Sequence, residues 1–345
     1  MRNIKLIKGL AVGIILLFVA MSIIPSTAQN SEKPLPTSRG DWLYVGGNGP
    51  GNYTRIQDAI DNASDGDTVF VYDDSSPYCE EIIIEKSINL IGENHNTIIE
   101  GMTEESTSIT VRADYVTINC FSIINSYIGV KTDSGDNTVI SDIYFIDNFG
   151  SIILDSNNNI VSNNFIKNSD FHGVSLSGLA RNNSISQNEI TGCWGGIHFN
   201  YASDCTISKN KITKNNNGII FFAPDRENHY NFENVIVQYN NITDNSIGIY
   251  IIGMFKDSVI ENNNFIKNNL SISYKIFSRQ KLIINANFWG RTMLLPKVIP
   301  GVSLIYLFSY YNQIQHESID VFLHIPKIVF DLHPAQEPYD IPGMN

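Results

Sequence analysis

Apolar and polar positions alternate along most of this chain, and between Gly129 and Gly290 the alternation repeats itself about every 22 residues. Residues 203–221 read SDCTISKNKITKNNNGIIF. Residues 158–176, 233–251 and 256–274 follow the same frame, I-x-x-N-x-[IF]-x-x-N-x-x-G-[IV]-x-[ILFV]. Its glycine slot runs Gly129, Gly150, Gly173, Gly196, Gly218 and Gly248, with Ser271 in the last turn. Self-similarity at this period is the signature of a solenoid. Within a repeat the apolar residues are β-branched or aromatic, as in Ile207, Ile212 and Ile219, or Ile260, Phe265 and Ile272, and no 3.6-residue period is sustained. The spacing therefore predicts strands, not helices. Three short strands joined by tight bends fill about 22 residues, and stacked coils of that kind make parallel strands about 4.8 Å apart. The predicted fold class is all-β, a parallel β-helix of roughly nine coils between residues 82 and 289.

Asparagine holds two further columns. One runs Asn163, Asn188, Asn210, Asn240, Asn263 and Asn287. The other runs Asn148, Asn168, Asn215, Asn245 and Asn268, with Cys193 in place of one member. An amide has two donors and two acceptor lone pairs, so amides stacked coil on coil can satisfy one another and the backbone of the bend. Asparagine is also a turn residue that tolerates the left-handed region. The columns favour the ladder because they keep phase across one repeat of 30 residues. In the earlier coils Phe121 and Ile143 fall in the first column and Ser126 in the second, so the ladder is expected to start near Asn148.

The long repeat owes its length to about eight extra residues, 224–231, PDRENHYN. Insertions in solenoids map to loops on one face, often the binding face. Ahead of the array, residues 41–85 are predicted to form a cap. It holds a strand at 42–45, a Gly-rich turn, and a helix with Ile56, Ala59, Ile60 and Ala63 on one stripe. Thr54-x-x-Gln57 matches a capping box, and Gly66 ends the helix. The strand, loop and helix lack G-x-G-x-x-G and G-K-[ST] spacing, which argues against a nucleotide site. The expected role of the cap is to close the exposed end of the stack. After residue 291 the repeat stops. The tail, 292–345, carries six prolines and an apolar run at 302–311 too short to span a bilayer, and is expected to cover the last coil.

Residues 1–28 have the parts of an export signal: basic Arg2, Lys5 and Lys8, an apolar stretch at 10–24, and Ser26-Thr27-Ala28 before the expected cleavage point. An uncleaved N-terminal anchor is the alternative, and the only membrane contact predicted. Either way the remainder lies outside the cytoplasm, secreted or at the cell surface. Residues 29–40 are a polar linker. The formal charge is −12, and −15 without the leader, which carries three basic and no acidic side chains. That balance excludes the basic footprint of a nucleic-acid binder and suits solubility at a cell surface. The four cysteines, Cys79, Cys120, Cys193 and Cys205, allow three pairings. Cys193 and Cys205 fall in inward slots of one coil, as a bridge or as packed thiols.

Residues 53–101 contain I-Q-x-A-I, then D-G-D-T-V-x-V, then E-x-I-x-I-x-K-S-I-x-L-I-G. This stretch resembles the opening of NosD-type, pectin-lyase-like right-handed β-helix proteins. The N-x-I-x-x-N repeats are similar to those of the carbohydrate-binding and sugar-hydrolase family that shares this coil. Asn287-Phe288-Trp289-Gly290 is similar to the N-x-W-G that closes such arrays in archaeal surface proteins, and FDLHPAQEPYD (330–340) resembles the tail that follows it. The likeness covers about residues 41–291. It implies a right-handed parallel β-helix and specifies function weakly, since the family includes enzymes, metal-delivery accessory proteins and surface proteins.

Loops that follow equivalent strands lie above one another in a stack. The insertion edge should therefore gather Arg181, Tyr201 and Asp204, then Asp225, Arg226, Glu227, His229 and Tyr230, then Phe255, Lys256 and Asp257. Aromatics could stack on sugar rings while acids and bases fix hydroxyls, so these are the candidate ligand-binding residues. A solvated loop is the plain alternative. For glycoside hydrolysis, Asp204 with Asp225 or Glu227 are the candidate carboxylate pairs. A β-elimination lyase would add Ca²⁺ held by Asp225 and Asp257, with Lys256 as base; otherwise no cofactor is predicted. Metal delivery, by likeness to NosD, would need soft or imidazole ligands. The histidines, His172 and His198 among them, are scattered without H-x-x-H and read as surface or bend residues. Five glycosylation sequons occur, at Asn52, Asn62, Asn182, Asn241 and Asn269. The leading reading is a non-catalytic surface scaffold that binds polysaccharide or envelope glycan. The alternatives are a polysaccharide hydrolase or lyase and a NosD-like accessory protein. Oligomeric state is left open.

Overall fold

A computed structural model of the chain describes residues 40–103, 105–177, 180–223, 232–277, 283–291, 293, 295–312 and 317–341. The expected leader, all but the last residue of the linker, and the insertion at 224–231 lie outside the described residues. Each coil contributes one short strand to sheet A, one to sheet B and a longer one to sheet C, and all three sheets are parallel through the coils. Sheets A and C have eleven strands and sheet B eight. In sheet A nine strands, Asn89–Gly92 to Ile283–Asn285, come from the coils. The other two, Trp42–Val45 and Thr68–Val71, are strands of the cap that continue the same stack in register.

Three inward columns build the core. Ile140, Val161, Ile185, Ile207 and Val237 come from sheet A, Phe145, Ile166, Ile190, Ile212 and Ile242 from sheet B, and Ile152, Val174, Ile197, Ile219 and Ile249 from sheet C, all buried. Each coil stacks like residue on like, so core grows in proportion to coil number. The glycine column has a steric reason. A Cβ at Gly196, Gly218 or Gly248 would come within 2.5 Å of the carbonyl oxygen of the next coil. One member of that column differs from the sequence reading: Gly150 pairs with Ile128, which places Ser151 beside Gly129.

The corners turn on single residues in the left-handed region. Between sheets A and B they include Asn163, Gln187, Lys209, Tyr239, Asn262 and Ala286, with φ from 51° to 59°. The residue after each turns inward; after the first five its backbone N–H finds an amide oxygen one coil on, and after Ala286 it finds the Asp331 carboxylate. Asn188 N and Nδ2 both donate to Asn210 Oδ1 at 3.0 Å, and Asn210 N and Nδ2 both donate to Asn240 Oδ1 at 3.0 Å. The second Nδ2 proton reaches a backbone carbonyl, as from Asn210 to Ile185 O at 2.9 Å. The ladder runs Asn164, Asn188, Asn210, Asn240, Asn263, Asn287. Asn163 is thus not a member. It is the exposed bend residue, and its neighbour Asn164 holds the place. The second column repeats the slip. Asn168 is a bend residue whose Nδ2 donates to Asp147, and buried Ser169 stands between Asn148 and Cys193. Asn215, Asn245 and Asn268 bond in series. A third column, at the corner from sheet C to sheet A, holds Thr138, Asn159 and Asn183. Cys193 and Cys205 sit in different corner columns, and both thiols are free and buried. Burial pushes both up, Cys205 to about 11.

Charged side chains tie down the elements at both ends of the array. At the N-terminal end the helix Ile56–Asn62 buries Ile56, Ala59 and Ile60. The expected capping box does not form. Glu80, from the next coil, accepts from Ile56 N (2.9 Å) and Gln57 N (3.2 Å) instead. Lys86 donates to Ile60 O, Asp61 O and Ala63 O at the other helix end. At the C-terminal end, strand Lys297–Asn312 pairs parallel with strand Leu270–Phe277 and antiparallel with Glu317–Asp331. Asp331, fully buried, occupies the place a further ladder amide would take. It accepts from Ala286 N, Asn287 N and Trp289 Nε1 at 2.9–3.0 Å, and from His333 N at 3.2 Å.

Two stability predictions follow from the ladder. Asn164→Ala should cost about 1–3 kcal/mol, because the Ile143 and Asn188 partners lose bonds in a buried stack. Asn163→Lys, at a bend column that already holds Lys209, should stay within about 0.5 kcal/mol. Chemical denaturation that gives equal losses would put the ladder on Asn163. Asp331 accepts four N–H groups and donates to none. Asp331→Asn, which turns one acceptor into a donor, should therefore destabilise nearly as much as Asp331→Ala, about 3 kcal/mol or more. A melting temperature for Asp331→Asn equal to that of the unchanged chain would show that an amide suffices there.

Candidate functional site

The corner from sheet C to sheet A carries the candidate edge. Arg181 Nη1 meets Asp204 Oδ2 at 2.9 Å, and Asn234 Nδ2 donates to Asp204 Oδ1 at 2.8 Å. One coil on, Lys256 Nζ pairs with Glu233 and lies 3.9 Å from Asp257 Oδ2. Asp204, Asp257 and Tyr201 are all in the left-handed region, as bend residues. The stack thus brings Arg181 onto Asp204, and Lys256 onto Glu233, which the sequence reading had not named. Phe255 is not part of this surface. It is fully buried against the rings of Phe221 and Phe232. Asp225, Arg226, Glu227, His229 and Tyr230 lie outside the described residues, between buried Ala223 and buried Phe232. Among the described residues of this edge Arg181 pairs with Asp204 and Lys256 with Glu233, and both oxygens of Asp204 are occupied.

The opposite border of sheet C is different in kind. Tyr127, Phe149, Phe171 and Trp194 stand one above another at the corner from sheet B to sheet C. Their centroids are 4.8, 5.6 and 5.5 Å apart, with planes within 15° of parallel. Each is open to solvent, from 38% for Tyr127 to 46% for Trp194. The next coil places exposed Asn216 at this point, so the column ends on Trp194. Offset or edge contacts among rings contribute about 0.5–1.5 kcal/mol each beyond burial. That would hold the column rigid, with ring edges outward. The sequence reading did not name these four residues. They recur at 22, 22 and 23 residues, the period of the coil itself.

Beside the column lies an imidazole pair. His172 packs on Phe171 (3.8 Å) and stacks on His198 at 4.1 Å and 19°. His172 is 3% exposed and its Nε2 has no hydrogen-bond partner. It is therefore neither the surface nor the bend residue expected from sequence: it is buried at the start of strand His172–Leu176. His198 Nδ1 lies 3.4 Å from Ser175 Oγ on the outer face of sheet C. Burial drives both imidazoles down, His172 to about 3, where the neighbouring His198 adds to the effect, and His198 to about 4. Both are neutral at physiological pH. The outward column through His198 continues to Ile220, Tyr250 and Ser273.

Sheet B has a smaller aromatic group. His95 stacks on Tyr144 at 3.9 Å, and Tyr144 meets Phe165 edge-on at 5.5 Å. An open recess of about 500 Å³ lies there, lined by Tyr144, Phe165, Gln187 and Glu189 among others. It covers fewer coils than the column and breaks off where Glu189 pairs with Lys211.

Known proteins match this architecture in three ways. Residues 60–295, more than half of the chain, match the family model described as NosD, periplasmic copper-binding protein. A cell surface glycoprotein of Methanothermus fervidus is 28% identical over 160 residues, 46% of this chain and 22% of that protein. The chain thus spans about a fifth of that relative's length. Among solved structures, pectate lyase Pel9A superposes with a TM-score of 0.52 at 14% identity, over 72% of this chain and 78% of the other. The alginate lyase of Paenibacillus sp. FPU-7 does so with 0.50 at 11% identity, over 72% and 94%. At those identities the two structures establish the fold alone, a pectate-lyase-like parallel β-solenoid. With that fold, and with a family model matched from the cap helix to the closing strands, the chain belongs to the NosD family.

Proposed function

We propose that this protein is an exported cell-surface β-helix that binds polysaccharide on the outer face of sheet C without cleaving it. The observation that carries this reading is the column of Tyr127, Phe149, Phe171 and Trp194, held open to solvent on successive coils. Contiguous exposed apolar surface on a folded protein marks an interaction site, and aromatic side chains are the anchors such sites use most. A sugar chain offers C–H groups for apolar contact along the outward ring edges and hydroxyls to polar neighbours. Ser175, His198 and Tyr250, in line across the same sheet, are uncharged donors and acceptors of that kind. The cell-surface glycoprotein relative supports the location. On the opposite border, Arg181, Tyr201, Lys256 and Asp257 are a second edge for the ligand, together with Asp225, Arg226, His229 and Tyr230 of the insertion.

Cleavage would need two carboxylates about 5–9.5 Å apart, one able to give up a proton. Among the described candidates Asp204 has both oxygens engaged by Arg181 and Asn234, which favours binding over hydrolysis. The family description names copper. No group of three or more His, Cys, Asp or Glu side chains converges on a metal position among the described residues. The His172 and His198 rings lie face to face, 4.1 Å apart. Imidazole lone pairs lie in the ring plane, so two stacked rings cannot aim them at one ion. The described residues therefore do not fit a copper centre.

Trp194→Ala and Phe149→Ala should each weaken polysaccharide binding at least about tenfold, about 1.4 kcal/mol. Affinity electrophoresis, on the polysaccharide selected by a glycan array, would read the loss. Deleting residues 224–231 in parallel separates the two borders. Loss on deletion alone would move the ligand to the insertion edge and overturn the assignment to the column. The imidazoles give a pH test. Both are depressed in the fold relative to an unfolded value near 6.5. The unfolded chain therefore binds more protons at mildly acid pH, and stability present above about pH 6.5 is lost as pH falls towards 4 and 3. Replacing them by column neighbours, His172→Asn and His198→Ser, should flatten the melting temperature between pH 7 and about pH 4. An unchanged slope would show that other groups govern acid sensitivity.

A further inference from the structure

We infer that the outer face of sheet A is a self-association surface that pairs with the same face of a second copy of this chain. The face is two outward columns long on eleven strands. One column runs Trp42, Thr68, Asn89, Thr117, Val139, Ile160, Ser184, Thr206, Ile236, Val259 and Ile283. The other runs Tyr44, Phe70, Ile91, Asn119, Ser141, Ser162, Ser186, Ser208, Gln238, Glu261 and Asn285. Glu261 is the single charged residue in either column, in a chain that is 17% charged with a net charge of −12. Sheets B and C carry charges on their outer faces, among them Lys131, Lys167, Glu189 and Lys211.

Charge decides which faces of two acidic molecules can meet. Like-charged copies repel, and charged groups that become buried without partners are costly. The sheet A face brings two copies together with almost no charge to desolvate. Its chemistry is also self-complementary. Hydroxyls both donate and accept, so the run Ser141, Ser162, Ser186 and Ser208 can bond to its own copy. The ends of the face are more apolar, with Trp42, Tyr44, Phe70 and Ile91 at one and Ile236, Val259 and Ile283 at the other. Ile160, Ile236 and Ile283 are each more than a third exposed. A two-fold axis at the central strand, Ile160–Ser162, would lay the aromatic end of one copy on the isoleucine end of the other. None of the five sequons lies on this face. Asn241 is on sheet B, Asn182 and Asn269 are at corners, and Asn52 and Asn62 are in the cap.

Ten strand spacings of about 4.8 Å by three residues of about 3.3 Å give a footprint of about 480 Å² per copy. The pair would then bury about 1,000 Å² in projection, at the lower bound for a specific interface. Association should therefore be concentration-dependent. Sedimentation velocity of the full chain from about 1 to about 100 μM should show a monomer–dimer equilibrium. Ser162→Lys sets two cations against each other at the axis and should raise the dissociation constant at least about tenfold. Ser162→Glu should do the same, and an equimolar mixture of the two should restore the dimer. Thr191→Lys, on the outer face of sheet B in line with Lys167, should leave the dimer intact. Circular dichroism checks folding, and Gln238→Lys, where a long side chain already stands, replaces Ser162→Lys if that variant does not fold. A monomer throughout the range, or a Ser162→Lys dimer as tight as the original, overturns the proposal.

Discussion

At the ladder corners of this solenoid, among the described residues, a backbone N–H points along the axis and finds its acceptor in the next coil. The left-handed bend residue turns the chain, and the residue after it faces inward with that donor exposed to a dry interior. An unpaired buried donor costs about 1–3 kcal/mol, and the corner recurs in each coil. Asparagine answers with one atom. Its Oδ1 accepts from the N–H and the Nδ2 of the coil before, while its Nδ2 serves the coil after and a backbone carbonyl. Each coil is thereby completed by the next, so the ladder has no natural end. It ends on Asp331, which accepts where a further amide would stand and has no donor of its own to place. The tail and the Asn287-Phe288-Trp289-Gly290 motif are one device. The Trp289 ring stacks on Phe265 at 4.9 Å while its Nε1 donates to the same carboxylate that receives Asn287 N.

The coil was legible because it repeats. Inward Ile207, Ile212 and Ile219 recur in phase, and the strands at those places pair in register. The errors arose where repetition was ambiguous. Asn163 and Asn164 are adjacent, and so are the polar residues Asn168 and Ser169; a frame anchored on the first asparagine of each pair is off by one. Bend residues must tolerate the left-handed region, which asparagine does well, so one residue type serves both neighbouring roles. Glu80 as the helix cap and Asp331 as the ladder stop were illegible for another reason. Each acts on a partner more than 20 residues away, with no periodic signal to connect them.

The outward surface was harder to read. Arg181, Asp204 and Lys256 are legible as charges flanking the insertion at 224–231, but Arg181 is paired with Asp204 and Lys256 with Glu233. The aromatic column carried a signal, since Tyr127, Phe149, Phe171 and Trp194 share the period of the coil. It was overlooked because the frame tracked inward positions only. His172 could not have been placed from sequence. Its ring is held between the adjacent Phe171 and, one coil on, Trp194 and His198.

A three-sided stack separates what folds the chain from what the chain meets. Inward columns tolerate little variation, because each side chain must fit the one above and below. Outward columns are constrained only by strand geometry, so each face can hold one chemistry over many coils. Here sheet C is bordered by rings and bears Ser175, His198 and Tyr250 in one line, while the two outward columns of sheet A hold one charged residue, Glu261. These faces do not compete for one partner. If two copies met through sheet A, sheets B and C of both would stay open, and each pair would present two aromatic columns. A repetitive ligand engaged at both columns binds the second at an effective concentration set by the rigid spacing between them. Weak contacts to single sugars would then add to firm attachment.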